Sequence, residues 1–177
     1  MQERYNYKPE IFFNLSDEVI LVTGAAGKLG SCIVNGLIDS NARVVATDTT
    51  IDILEKSAER WEWNKSKVIL KKCDITKRED IVTAIEEGIA IYGEITALVA
   101  NAGVSVFEPY LERPEESIDW VMDINLKGTL LCIQEFIKHR KENEGGGSIV
   151  NIGSHYGLVS PDPRIYTDSD RKNSEIY

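Results

Sequence analysis

The sequence predicts an α/β protein: a parallel sheet wound on both faces by helices, in one domain of the 177-residue chain. Three observations carry that expectation. Short apolar runs alternate with stretches of helical spacing along most of the chain. A glycine-rich turn, Thr23-Gly24-Ala25-Ala26-Gly27-Lys28-Leu29-Gly30, joins the first run to the first helix. Polar residues suited to a ligand stand just past the second, third and fourth runs: Asp48, Asp74 and Asn101.

The elements follow in order. Met1 to Asn14 is aromatic and mixed in charge and reads as a leading arm, with the folded domain spanning residues 15 to 177. Val19 to Val22 is a buried-strand signal, and Leu29, Ile33, Val34, Leu37 and Ile38 follow at helical spacing. Arg43 to Thr47 is the second strand, and Ile51, Leu54, Ala58 and Trp61 mark one face of the second helix. Val68 to Leu70 is a third strand ending near Cys73-Asp74. Thr76 and Glu79 form a capping-box pattern that opens a third helix, with Gly93 as its stop. Ala97 to Ala100 is the fourth strand. A helical region from about Glu115 to Glu142 is expected to break near Asn125 to Gly128. Gly145, Gly146 and Gly147 give a flexible turn before a fifth strand, Ser148 to Ile152, and from Gly153 onward the periodicity fades.

Composition narrows the function. Hydrophobic residues at 42% and charged residues at 28% describe a soluble globule. A net charge of -9 argues against a nucleic-acid groove, which needs clustered cations, and against docking on an anionic membrane. No apolar run is long enough to span a bilayer, and neither end reads as a signal peptide. Cys32, Cys73 and Cys132 lack metal-ligand spacing and read as small apolar residues in a reducing cytoplasm. His139 lies in a basic helix end and reads as solvated. His155 follows Ser154 directly, and strand neighbours point to opposite faces, so a Ser-His pair is not expected there. No metal site is visible in the sequence.

The glycine turn carries the functional argument. Glycines let the backbone turn sharply and approach a pyrophosphate, and the new helix aims its free N–H groups at phosphate charge. Asp48, about 20 residues on, can accept hydrogen bonds from a ribose diol. That order of strand, turn, helix, strand and carboxylate points to a dinucleotide.

Four features together resemble the short-chain dehydrogenase/reductase family over about residues 15 to 157. They are the Thr-Gly turn, Asp74-Ile75, Asn101-Ala102-Gly103, and Ile124-Asn125-Leu126-Lys127-Gly128; Ser154 then stands where the family has its catalytic serine. The resemblance implies a Rossmann-type doubly wound sheet and NAD(P)-dependent hydride transfer between nicotinamide and an alcohol or carbonyl substrate. Gly24, Gly27, Lys28, Leu29 and Gly30 would cradle the diphosphate, and Asp48 would hold the adenosine ribose. A 2′-phosphate would meet like charge at Asp48, so NAD is favoured over NADP, although Lys28 could hold such a phosphate. Asp74 and Ile75 would flank the adenine, and Asn101, Ala102 and Gly103 would pass close to the cofactor. Ser154 would hydrogen-bond the substrate oxygen, and Asn125 would help hold a proton-relay water.

Two departures stand out. The spacing of Gly24, Gly27 and Gly30 occurs in the extended branch that acts on sugar nucleotides, so an epimerase or dehydratase is one alternative. A non-catalytic nucleotide-binding module is another. No Tyr-x-x-x-Lys motif exists in the chain. Tyr177 is taken as the catalytic tyrosine, after an insertion from Pro161 to Glu175 and with its lysine beyond the chain end. Tyr166, twelve residues past Ser154, is the other candidate, and both could be plain loop aromatics. On this reading the chain is truncated: C-terminal strands and helices are missing, the fifth strand is an exposed edge, and the fragment alone is inactive. Tyr156 to Tyr166 resembles bacterial members linked to surface-glycan or flagellin modification, implying a sugar-linked substrate. The family also implies a dimer or tetramer packed through the helix bearing Leu130, Leu131, Phe136 and Ile137, residues that could equally cover the sheet of a monomer.

Overall fold

A computed structural model describes residues 13–108, 110–143, 145–159, 162 and 164, the side chain of Tyr110 excepted. The leading arm falls outside them apart from Phe13 and Asn14. Strands β1 (Val19–Thr23), β2 (Arg43–Asp48), β3 (Val68–Lys72), β4 (Ala97–Ala100) and β5 (Ser148–Asn151) form one sheet in the order β3-β2-β1-β4-β5. Every pairing is parallel, with Val22 opposite Ala46 on one side and Val99 on the other. The expected fold class is therefore observed.

Alternation along the strands divides the core. Val19 and Leu21 of β1, Val45 of β2 and Leu98 of β4 face one layer, built by helix α3 (Arg78–Tyr92) and helix α5 (Thr129–Glu142) through Ile81, Ile85 and Phe136. Ile20, Val22, Val44, Ala46 and Val99 face the other, covered by helix α1 (Lys28–Asp39) and helix α2 (Ile51–Trp61) through Val34, Ile38 and Leu54. Central strands covered on both sides read as continuous apolar runs. Each fully buried Leu, Ile or Val contributes about 1.5–3 kcal/mol. The α3–α5 layer is also tied by Arg78, which pairs with buried Glu135 and donates to Gln134 at 3.0 Å.

Several local expectations are corrected. Lys77, not Thr76, is the N-cap of α3, and no side chain caps it. The Thr76 hydroxyl instead donates to Asp74 at 2.7 Å, so the local turn takes the group the capping box needed. The predicted break in the long helix is a π segment, Asp123–Gly128, that joins helix α4 (Glu115–Met122) to α5 without interrupting the helical path. β5 ends at Asn151 rather than Ile152 and is exposed along its length, as expected of an edge. Before it, Arg140 ties the glycine stretch down, its Nε donating to the Gly146 carbonyl at 2.6 Å and Nη1 to Glu94 at 2.7 Å. His139 is partly buried, not solvated: its Nε2 is buried with no hydrogen-bond partner among the described residues. Desolvation first, and neighbouring Arg140 second, push its pKa below the ordinary 6.5.

Among the described residues no helix is long and apolar enough to cross a membrane, and no cluster of His, Cys, Asp or Glu could hold a metal ion. All three cysteines are free thiols. Cys73 and Cys132 are buried, and desolvation raises each to about 12, whereas Cys32 is exposed.

Candidate dinucleotide site

Strand order reverses between β1 and β4, the place where doubly wound sheets open a crevice beyond the carboxyl ends of their strands. The glycine turn after β1 and the Asn101-Ala102-Gly103 segment after β4 flank that crevice. They are bound to each other. The buried Thr23 hydroxyl accepts from the Asn101 and Ala102 N–H groups, each at 3.1 Å. The Asn101 amide donates back to the carbonyls of Thr23 at 2.9 Å and Gly24 at 3.1 Å.

This closeness dictates the glycines. Gly24 has φ +63, and a Cβ there would lie 2.8 Å from Ala102 Cα. A Cβ on Gly30 would fall inside the Gly24 carbonyl oxygen and 2.9 Å from both Ala25 Cα and Asn101 Nδ2. Gly27 is the N-cap of α1, and Lys28 and Leu29 are exposed in its first turn. Leu29, at 54% exposure, stands at the mouth of the turn.

The backbone donors of the turn divide into two groups. Ala25 N–H donates to Thr47 O at 2.9 Å, Ala26 N–H to Asp48 Oδ2 at 3.0 Å, and Gly27 N–H to Gly24 O at 3.2 Å. The first helical bond of α1 is Ser31 N–H to Gly27 O at 2.9 Å. The N–H groups of Lys28, Leu29 and Gly30 are left without a partner among the described residues, three orphan donors at the positive end of a helix dipole.

Asp48, at the end of β2, is anchored by Ala26 and by its own neighbour, Oδ1 accepting from Thr49 N–H at 2.8 Å. The Thr49 hydroxyl also donates to Oδ1 at 3.4 Å, so of about four lone-pair sites one, on Oδ2, is left for a ribose hydroxyl. Asp74 accepts from Thr76 N–H at 3.0 Å, while its own N–H donates to Asp80 at 2.9 Å. Partial desolvation works to raise the Asp74 pKa, but the Thr76 hydrogen bonds and Lys77 outweigh it and hold the carboxyl below 3.8. Ile75 is 5% exposed as a whole residue, and its side chain packs against Gly128.

Asn125 sits in the π segment with its amide fully engaged: Oδ1 accepts from Val104 N–H and Nδ2 donates to Val104 O, both at 2.8 Å. It clamps the loop after Gly103. Gly103 is exposed, and a Cβ there would make only an ordinary 3.4 Å contact with Asn125. Ser154 lies beyond β5, with Oγ accepting from Tyr156 N–H at 3.1 Å to cap a short 3₁₀ turn, His155–Gly157. The strand-face argument against a Ser154–His155 pair therefore does not apply. The His155 ring instead meets Tyr156, centroids 4.2 Å apart. Tyr166 and Tyr177 lie outside the described residues.

Sequence reading missed Ser57 and the role of Thr23. Ser57 of α2 donates to the Ala26 carbonyl at 3.2 Å, 31 residues away, and no local pattern announces it.

Fold and site together define a doubly wound α/β protein with a glycine-rich turn at its crevice. A family profile described as short chain dehydrogenase matches residues 18–166. The chain belongs to that family. The NAD-dependent glycerol dehydrogenase of Listeria innocua is 34% identical over 153 residues, covering 86% of this chain and 59% of that protein. The D-threitol dehydrogenase of Mycolicibacterium smegmatis is 32% identical over 153 residues, covering 86% of this chain and 58% of that protein. Among solved structures, an NAD+-bound xylitol dehydrogenase superposes with TM-score 0.76 at 26% identity, over 85% of this chain and 57% of that one. The chain thus spans under two thirds of the length of each of these three.

Proposed function

We propose that this chain is the cofactor-binding part of an NAD(P)-dependent oxidoreductase acting on a small alcohol or its carbonyl counterpart, with NAD preferred. The observation that carries the reading is the division of donors in the glycine turn. Three N–H groups, Lys28 to Gly30, are spare while those of Ala25 to Gly27 are spent within the protein. The residues present fit a dinucleotide: Gly24 and Gly30 let the turn close against Ala102 and the Gly24 carbonyl, and Asp48 stands at the end of the neighbouring strand. The cofactor, when bound, supplies or accepts the hydride.

In this reading the protein orients and handles protons. Gly24, Gly27, Lys28, Leu29 and Gly30 seat the diphosphate, and Asp48 accepts from the ribose diol. Asp74 and Ile75 border the adenine, and Asn101, Ala102 and Gly103 form the opposite wall. Ser154 donates to the substrate oxygen, Asn125 helps hold a proton-relay water, and Tyr177 exchanges the substrate proton. Relatives named for glycerol and threitol, and the xylitol dehydrogenase structure, favour a small polyol. The three free thiols suit a reducing cytoplasm. Ile118, Met122, Leu126 and Leu130, four residues apart along α4, the π segment and α5, are 36–50% exposed, and Ile137 is 50% exposed beyond them. A second copy of the chain covers that stripe.

The test is titration of the purified chain with NADH and NADPH, read by nicotinamide fluorescence. NADH should bind at least tenfold more tightly, and Asp48→Asn should narrow the gap by relieving repulsion of the 2′-phosphate. Equal affinity for both in the wild type refutes the NAD preference; failure to bind either refutes the function.

A further inference from the structure

We propose that Ser57 is a positioning residue of the diphosphate corner, fixing the Ala26–Gly27 peptide plane from which the phosphate-facing start of α1 begins. The inference rests on the dinucleotide reading above and adds a residue to it.

Successive peptide planes of the turn are fixed by different elements. The plane between Ala25 and Ala26 is held by β2, because Ala26 N–H donates to Asp48 Oδ2 at 3.0 Å. The next plane, between Ala26 and Gly27, is held at both ends. Ser57 Oγ donates to its carbonyl at 3.2 Å, and its N–H donates to Gly24 O at 3.2 Å. That plane adjoins Gly27, whose lack of a Cβ leaves the backbone free to rotate unless something ties it. It also lies directly before the three spare N–H groups of Lys28, Leu29 and Gly30.

The electrostatic consequence follows. An Ala26 carbonyl turned over would face the Gly24 carbonyl oxygen that the Gly27 N–H now meets, so the plane would lose both of its bonds and set two acceptors against each other. The start of α1, with its three orphan donors, would shift out of position for a phosphate. The Ser57 hydroxyl, partly buried on α2, is placed to prevent that rotation. It touches neither phosphate nor substrate and acts through the peptide it holds.

Ser57→Ala removes the hydroxyl from a helix that tolerates alanine well. Ser57→Thr retains it. Two readouts apply to wild type and both variants: amide exchange at Gly27 by NMR, and affinity for ADP and for adenosine by titration. Ser57→Ala should speed Gly27 exchange and weaken ADP by about two- to tenfold, the worth of one hydrogen bond, with adenosine unchanged. Ser57→Thr should restore both. Wild-type affinity for ADP in Ser57→Ala overturns the proposal, as does equal weakening of ADP and adenosine, which marks a general loosening. Unchanged Gly27 exchange in Ser57→Ala overturns the peptide-holding claim whatever the ligand does. A wild type that binds no ADP overturns the dinucleotide reading itself, and with it the role assigned to Ser57.

Discussion

Two glycines of α1, six residues apart, should respond oppositely to alanine. Gly36 has no atom within 4 Å of where a Cβ would stand, so Gly36→Ala should gain the helix-propensity difference of about 0.5–1 kcal/mol. Gly30 receives the same intrinsic gain but meets the Gly24 carbonyl, Ala25 Cα and the Asn101 amide. The Gly24 carbonyl is not free to retreat, because it accepts from Asn101 Nδ2 at 3.1 Å and Gly27 N–H at 3.2 Å. Displacing it forfeits two bonds of about 0.5–1.5 kcal/mol each and adds overpacking of about 1–3 kcal/mol. Set against the propensity gain, the net loss for Gly30→Ala is about 1–5 kcal/mol. Urea unfolding followed by tryptophan fluorescence measures both variants on one scale. Gly30→Ala unfolding at or above the urea midpoint of Gly36→Ala would refute the close-packed turn.

Asn125→Ala should cost about 1–3 kcal/mol, because Val104 loses both partners. Asn125→Asp should be at least as damaging at pH 7, where a carboxylate faces the Val104 carbonyl, and milder near pH 4, where a protonated carboxyl can donate again. Unfolding midpoints at the two pH values, each relative to wild type, decide this, and an equal deficit at both contradicts the geometry. His139 has a folded pKa below 6.5, so its contribution to stability is complete above that value and fades as pH falls toward the lower folded pKa. Arg140 reinforces the depression, while Glu142 and Glu94 oppose it. His139→Gln should flatten the loss of thermal stability between pH 7 and pH 5; an unchanged slope counts against burial as its source. Leu130→Glu should convert an oligomer to monomer in light scattering after size exclusion. An oligomer that persists in Leu130→Glu, or a wild type that is already monomeric, removes the second-copy reading of the α4–α5 stripe.

Local pattern carried most of the fold and the outline of the site. Val19 to Val22, Arg43 to Thr47 and Ala97 to Ala100 were legible because strands buried on both faces are apolar throughout. Gly93 was legible as a stop because its φ of 91 suits glycine. The misreadings share a cause, competition that a linear pattern does not contain. Thr76 looked like a cap, but Asp74 two residues earlier claims its hydroxyl. Asn125 to Gly128 looked like a break, yet a π segment carries the helix through while the Asn125 amide serves Val104, 21 residues away. Ser57 to Ala26, like Asn101 to Thr23, pairs residues far apart in the chain, and only folding reveals it.

The Thr23 hydroxyl and the Asn101 amide make four hydrogen bonds between the ends of the two strands that flank the crevice. The gap between those walls is therefore set before any visitor arrives. A ligand entering it loses its own freedom of tumbling, but little further entropy goes into organising the receptacle. Capture should then be governed by encounter, and differences among competing nucleotides should surface in how long each one stays.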